Sequence, residues 1–94
     1  MGEIIAPKRS ALLSLAAEYA ATELRVFGSV ARGTARHGSD VDLLVRFRRP
    51  IGLMARSEFK ERASRLLARP VDLATVESLH WLIRPTVLAA AIPV

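Results

Sequence analysis

Between Pro7 and Ala21, apolar side chains recur at Leu12, Leu15, Ala16 and Tyr19, while Lys8, Arg9, Ser14 and Glu18 fall elsewhere. That spacing, i, i+3, i+4, i+7, predicts an amphipathic helix. The segment "LRVFGS" then packs β-branched and aromatic residues tightly and stops at Gly28, which predicts a strand running into a turn. Ser29 to Ala35 reads as a short helix, and "RHGSD" as a loop turning at Gly38. In "VDLLVRF" the pattern changes to strict alternation. Val41, Leu43, Val45 and Phe47 share one face of a strand, and Asp40, Asp42, Leu44 and Arg46 share the other.

From Leu53 to Ala68 the helical spacing returns, with Ala55, Phe59, Ala63, Leu66 and Leu67 along one side. Glu58/Arg62 and Glu61/Arg65 are expected as i,i+4 ion pairs on the outside. "RPVDLATV" predicts a third strand carrying Asp72, and "ESLHWLIRPTVLAAAIPV" a helical turn, a break near Pro85 and a last helix ending at Pro93. The alternation of helices and strands predicts an α/β or α+β fold around a small sheet. With no repeat, low-complexity tract or linker, residues 1–94 are expected to form one domain.

Composition adds a bias toward particular partners. The chain carries 14 Lys plus Arg against 9 Asp plus Glu, a net charge of +5, and twelve of the cations are Arg. Such a balance favours anionic partners, unless it is only an Arg bias over a solvated surface. A 51% apolar fraction in 94 residues is high for so small a domain and points to surface covered by another chain. No Cys occurs, so thiolate metal sites and disulfides are excluded. No apolar run approaches the roughly 18 residues that span a bilayer, and the N-terminus lacks a secretory h-region, so a cytoplasmic protein without a membrane partner is expected. At 5% aromatics the chain lacks the stacking platforms of single-strand binders, so no direct nucleic-acid recognition is expected.

The chemistry concentrates in "FGSVARGTARHGSDVDLLVRF". Asp40 and Asp42, one residue apart in a strand, point the same way, and the predicted topology can bring Asp72 beside them. Carboxylates stacked like this repel unless a cation lies between them, and hard divalent ions take such oxygens together with substrate phosphates. Gly28-Ser29 sits at a strand-to-helix junction, where glycine permits close backbone approach and free helical N–H groups attract phosphate. Arg32, one turn on, projects from the Ser29 side and could reach a phosphate, although a surface role is the commoner outcome. Ser39, in the turn before Asp40, is a further nucleotide-binding candidate. Gly-Ser-x10-Asp-x-Asp arises by chance in on the order of one chain in a thousand of this length. Each residue also has a plain structural role available: a cap for Ser29, a turn for Asp40, a strand edge for Asp42 and Asp72. His37 and His80 lack paired ligands and are read as non-catalytic. Arg46, Arg48 and Arg49 could flank a nucleotide, meet an acidic partner or simply be solvated.

These motifs, with "PVDLATV" downstream, resemble the nucleotidyltransferase domain of the DNA polymerase beta superfamily, and in size the minimal nucleotidyltransferases, or MNT proteins. The resemblance implies a polymerase-beta-like fold, a small mixed β-sheet flanked by helices. It also implies two magnesium ions and transfer of a nucleoside monophosphate from a triphosphate such as ATP. Carried over by position, Gly28 and Ser29 match the phosphate-binding pair, Asp40 and Asp42 the paired metal ligands, and Asp72 the third carboxylate. Many MNT proteins are antitoxins that attach AMP to a tyrosine of a HEPN-domain RNase toxin. A HEPN partner, bound as a hetero-oligomer, is therefore expected, with Trp81, Leu82, Ile83, Val87 and Leu88 either forming the docking surface or closing the domain's own core. An inactive antitoxin that blocks its partner by contact, and a transferase acting on a small-molecule hydroxyl, are the alternatives.

Overall fold

The computed structural model describes residues 2–33, 40–79 and 81–94, with the side chains of Glu3, Ser29 and Arg32 outside that description. Its helices are α1 (Gly2–Ile5), α2 (Arg9–Glu18), α3 (Gly28–Arg32), α4 (Leu53–Leu67) and α5 (Arg84–Ala90), with a 3-10 turn over Ala6–Lys8. Its strands are β1 (Ala21–Phe27), β2 (Val41–Phe47), β3 (Val71–Thr75) and β4 (Ile92–Pro93). They form a mixed sheet in the order β3-β2-β1-β4, in which β2 and β3 run parallel and the other neighbours antiparallel. This is the small sheet among helices that the sequence predicts, and its mixed pairing is the one the resemblance implies.

One face of the sheet buries the core. Leu12, Leu15 and Ala16 of α2 and Phe59, Ala63 and Leu67 of α4 pack against Val26, Val41, Leu43, Val45 and Val71. These are the positions that helical and alternating periodicity select, because apolar area removed from water is the main favourable term. Alternation along β2 therefore sends Asp42 and Arg46 to the opposite face.

Several boundaries differ from the sequence expectation. The first long helix stops at Glu18, since Ala20 adopts φ 63 and turns the chain directly into β1 three residues before "LRVF". The Ala20 carbonyl then accepts the Arg48 N–H at 2.7 Å, tying the end of β2 to that turn. Pro85 lies in the first turn of α5, where its missing N–H is no loss. That helix ends at Ala90, and Ile92–Pro93, expected to be helical, pairs with Arg25 and Val26 of β1 as β4. The Val94 N–H donates to the Leu24 carbonyl at 3.0 Å and closes this edge. So short a strand has no periodicity of its own, and only its neighbour specifies it.

The expected pair Glu61/Arg65 forms, but Glu58/Arg62 does not. Arg62 reaches across to α2 instead, pairing with Glu18 at 3.2 Å and donating to the Tyr19 hydroxyl at 3.1 Å. Tyr19 in turn donates to Glu58 at 2.6 Å, and its ring stacks on Phe59 at 5.3 Å. The hydrogen bond to Tyr19 raises the Arg62 pKa above its usual value, so the guanidinium stays charged throughout the working range. Packing of α2 on α4 brings these four groups together, and an intrahelical pairing loses to the cross-helix one. Tyr19→Phe keeps the ring stack and removes two exposed hydrogen bonds, so unfolding is expected to cost about 1 kcal/mol less. For a chain of this size that lowers the melting midpoint by about 4–8 °C, read by thermal denaturation.

Candidate active site

The site is organised where β1 ends and β2 and β3 begin. Phe27, the last residue of β1, is the register partner of Asp42, and Asp42 is the register partner of Asp72 on the parallel strand β3. Each carboxylate is thus the second residue of its own strand, at the same end of the sheet. Neighbouring strands lie about 4.8 Å apart, so two acidic positions adjoin. Asp40 immediately precedes β2 and is exposed.

Gly28 meets two demands at once. Its φ of +74 lies in the left-handed region, and a Cβ there would overlap the Asp42 carboxylate, with the carboxyl carbon at 3.2 Å. Val30, fully buried in the core, anchors α3 so that this junction cannot drift away. Gly33 has the same φ, but a Cβ there meets nothing within 4 Å, so its requirement is conformational alone. The backbone of Ser29 and Arg32 lies in α3, directly after the Gly28 junction. Ser39, His37 and His80 lie outside the described residues.

Asp72 is exposed, and its Oδ1 lies 3.8 Å from Lys60 Nζ on α4. With both side chains about half exposed, this pair contributes no more than about 1 kcal/mol and does not lock the carboxylate. Beside it opens a cavity of about 260 Å³ lined by Leu53, Arg56, Ser57, Lys60, Asp72 and Leu73. The sequence offered no signal for Lys60, which reaches Asp72 only because α4 folds back along β3.

Arg46 stands four residues beyond Asp42, about 13 Å along the strand. Its guanidinium is engaged by Glu23 at 3.5 Å and Glu77 at 3.8 Å, so it does not flank the carboxylates. Arg48 and Arg49 are exposed just past the end of β2. Of the C-terminal apolar residues, Trp81 (70%), Leu82 (63%) and Ile83 (51%) are exposed and do not close the core, whereas Val87 and Leu88 are partly buried.

Among the described residues, no three acidic or histidine side chains converge closely enough to hold a metal ion. The expectation that Asp40, Asp42 and Asp72 stand together is met at the level of strand register for Asp42 and Asp72, and Asp72 turns toward Lys60. The donor chemistry nonetheless fits a hard divalent cation. Carboxylates hold register-paired positions on adjoining strands, and Gly28, with no side chain, lets the Asp42 carboxylate pack against the turn into α3. No helix among the described residues is long and apolar enough to cross a membrane.

Comparison with known proteins agrees with this geometry. Residues 9–94 match the family described as "Nucleotidyltransferase domain". The protein adenylyltransferase MntA of Thermococcus cleftensis is 44% identical over 66 residues, covering 70% of this chain and 67% of that one. Against a Methanocaldococcus jannaschii relative, provisionally named a protein adenylyltransferase, identity is 36% over 63 residues, 67% of this chain and 64% of the relative. The match thus spans just under two thirds of that protein. Among solved structures, a minimal nucleotidyltransferase superposes with a TM-score of 0.86 at 42% identity, over 98% of this chain and 94% of the other. The MNT antitoxin in complex with the AMPylated Shewanella oneidensis HEPN toxin shares the fold, with a TM-score of 0.70 at 18% identity, over 93% of this chain and 68% of that one. A family match across residues 9–94, reinforced by a relative 44% identical, makes this chain a member of the nucleotidyltransferase domain family.

Proposed function

We propose that this chain is an antitoxin that transfers AMP from ATP to a hydroxyl of a partner protein, a tyrosine of a HEPN-domain toxin with which it forms a hetero-oligomer. The observation that carries the reading is the seating of Gly28 against the Asp42 carboxylate. This contact supports the reading, because it sets the Gly28 turn against an acidic side chain, the pairing that nucleotidyl transfer would use. The MntA relative's activity and the HEPN complex of the structural neighbour support the choice of AMP and of the acceptor.

In this mechanism, Ser29 and the backbone N–H groups after Gly28 hold the β and γ phosphates, and Arg32 and Ser39 are assigned to the remaining oxygens. Asp40, Asp42 and Asp72 would hold two magnesium ions, which when bound neutralise charge on the reacting phosphate and acidify the acceptor hydroxyl. Asp72, at the outer strand and open to solvent, takes the hydroxyl proton. The acceptor oxygen bonds to the α-phosphorus, the bond from that phosphorus to the bridging oxygen breaks, and pyrophosphate departs with the electron pair. Positioning and charge stabilisation supply the acceleration, as in other phosphoryl transfers. The exposed Trp81, Leu82 and Ile83 are the docking surface for the acceptor protein in this reading.

The test uses the purified chain with magnesium, a lysate of its host and ATP labelled on the α- or the γ-phosphate. Label is expected to enter a protein band from the α-phosphate alone. Label from the γ-phosphate would identify a kinase instead, and no label from either, with a binding partner present, would leave a contact-only antitoxin.

A further inference from the structure

The end of α4 grips the chain on both sides of Pro70. Ala68 turns left-handed at φ 55, and the Arg69 N–H folds back to the Ser64 carbonyl at 3.2 Å. The Ser64 hydroxyl accepts the Val71 N–H at 3.0 Å, in a part-buried setting. Between these two bonds, the Pro70 carbonyl accepts the Val41 N–H at 2.8 Å. Val41 is flanked by Asp40 and Asp42, and Val71 is followed by Asp72. One knot therefore ties the first residues of both acid-bearing strands to a single helix turn.

Strand register is what this knot protects. Shifting β3 by one residue would send Asp72 to the core face and bring Leu73 out. Val71 is almost fully buried, so its N–H has little access to water and needs a protein acceptor. A serine in a helix interior is neutral to unfavourable by propensity, and here its hydroxyl leaves its own helix to bond the next element.

We propose that Ser64 is a positioning residue that sets Asp72 in register with Asp42 and thereby tunes divalent-cation binding. This rests on the assignment of Asp72 as a metal ligand under the proposed function. The hydroxyl touches neither substrate nor ion, and it acts through the backbone of β3.

The experiment measures Mn2+ binding to the full chain by electron paramagnetic resonance, without nucleotide, because carboxylate oxygens accept manganese as they do magnesium. Ser64→Ala is expected to weaken binding about five-fold, and Ser64→Thr, which keeps the hydroxyl, to stay within about two-fold of the parent. Ser64→Ala combined with Asp72→Asn is expected to bind no more weakly than Asp72→Asn alone, as two changes acting through one carboxylate should. Tyr19→Phe, a destabilising change on the far side of α4, is expected to bind as the parent does. Parent-like binding by Ser64→Ala, a Thr variant as weak as Ala, or additive losses in the double variant would each overturn the proposal. So would a parent chain that binds no Mn2+. Unchanged binding by Asp72→Asn removes Asp72 as a ligand and Ser64 with it, whereas nucleotidyl transfer is judged separately by the labelling experiment.

Discussion

Asp42→Asn is expected to lower nucleotidyl transfer by about a thousand-fold while leaving the fold intact. The asparagine side chain has nearly the same shape, so the contact with Gly28 survives. What disappears is a full negative charge at a point shared by ion and phosphate, and removing one such preorganised electrostatic contact typically costs about 10²–10³ in rate. Because Asp42 would help hold the ions and also packs against Gly28, the upper end of that range is expected. Stability is expected to change far less than activity. Asp42 and Asp72 are adjacent across parallel strands, so removing one charge also removes a like-charge neighbour. Transfer from α-labelled ATP and a thermal melt, measured on the same sample, check both halves. Activity within ten-fold of the parent would place the essential carboxylate elsewhere.

Gly28→Ala is expected to damage both activity and stability. A Cβ in the left-handed region costs about 1–2 kcal/mol by itself. The overlap with the Asp42 carboxylate adds a second penalty, which the chain relieves only by rotating Asp42 away or displacing α3. Either movement separates the phosphate-binding turn from the carboxylates, and a misplacement of about 1 Å is enough for a hundred-fold loss of rate. Gly33→Ala is the control. It meets the same φ and nothing within 4 Å, so a smaller drop in melting midpoint, from the backbone cost alone, is expected with transfer retained within several-fold. Equal activity losses in the two variants would mean that backbone strain, rather than the contact with Asp42, governs the site.

Taken together, these variants separate electrostatic from steric requirements. Asp42→Asn removes charge and keeps shape, and Gly28→Ala adds shape and keeps charge. The pairing matters because Gly28 and Asp42 lie fourteen residues apart in sequence and meet only through the antiparallel register of β1 with β2.

The sequence by itself determined what repeats at a local period. The buried faces of α2 and α4, the alternation of β2 and the turn at Gly28 were legible because each follows from helix geometry, strand pleat or the freedom of glycine. The Gly-Ser and Asp-x-Asp motifs were legible for the same reason, since their spacing is short enough to be fixed by one strand and one turn. Only the tertiary structure decided which residues meet across elements. Strand β4 exists because β1 offers it an edge, Arg62 abandons Glu58 for Glu18 and Tyr19 because α2 packs on α4, and Lys60 and Ser64 reach β3 because α4 folds back beside it. Contacts like these depend on where separate elements come to rest, and no periodicity within a single element encodes that.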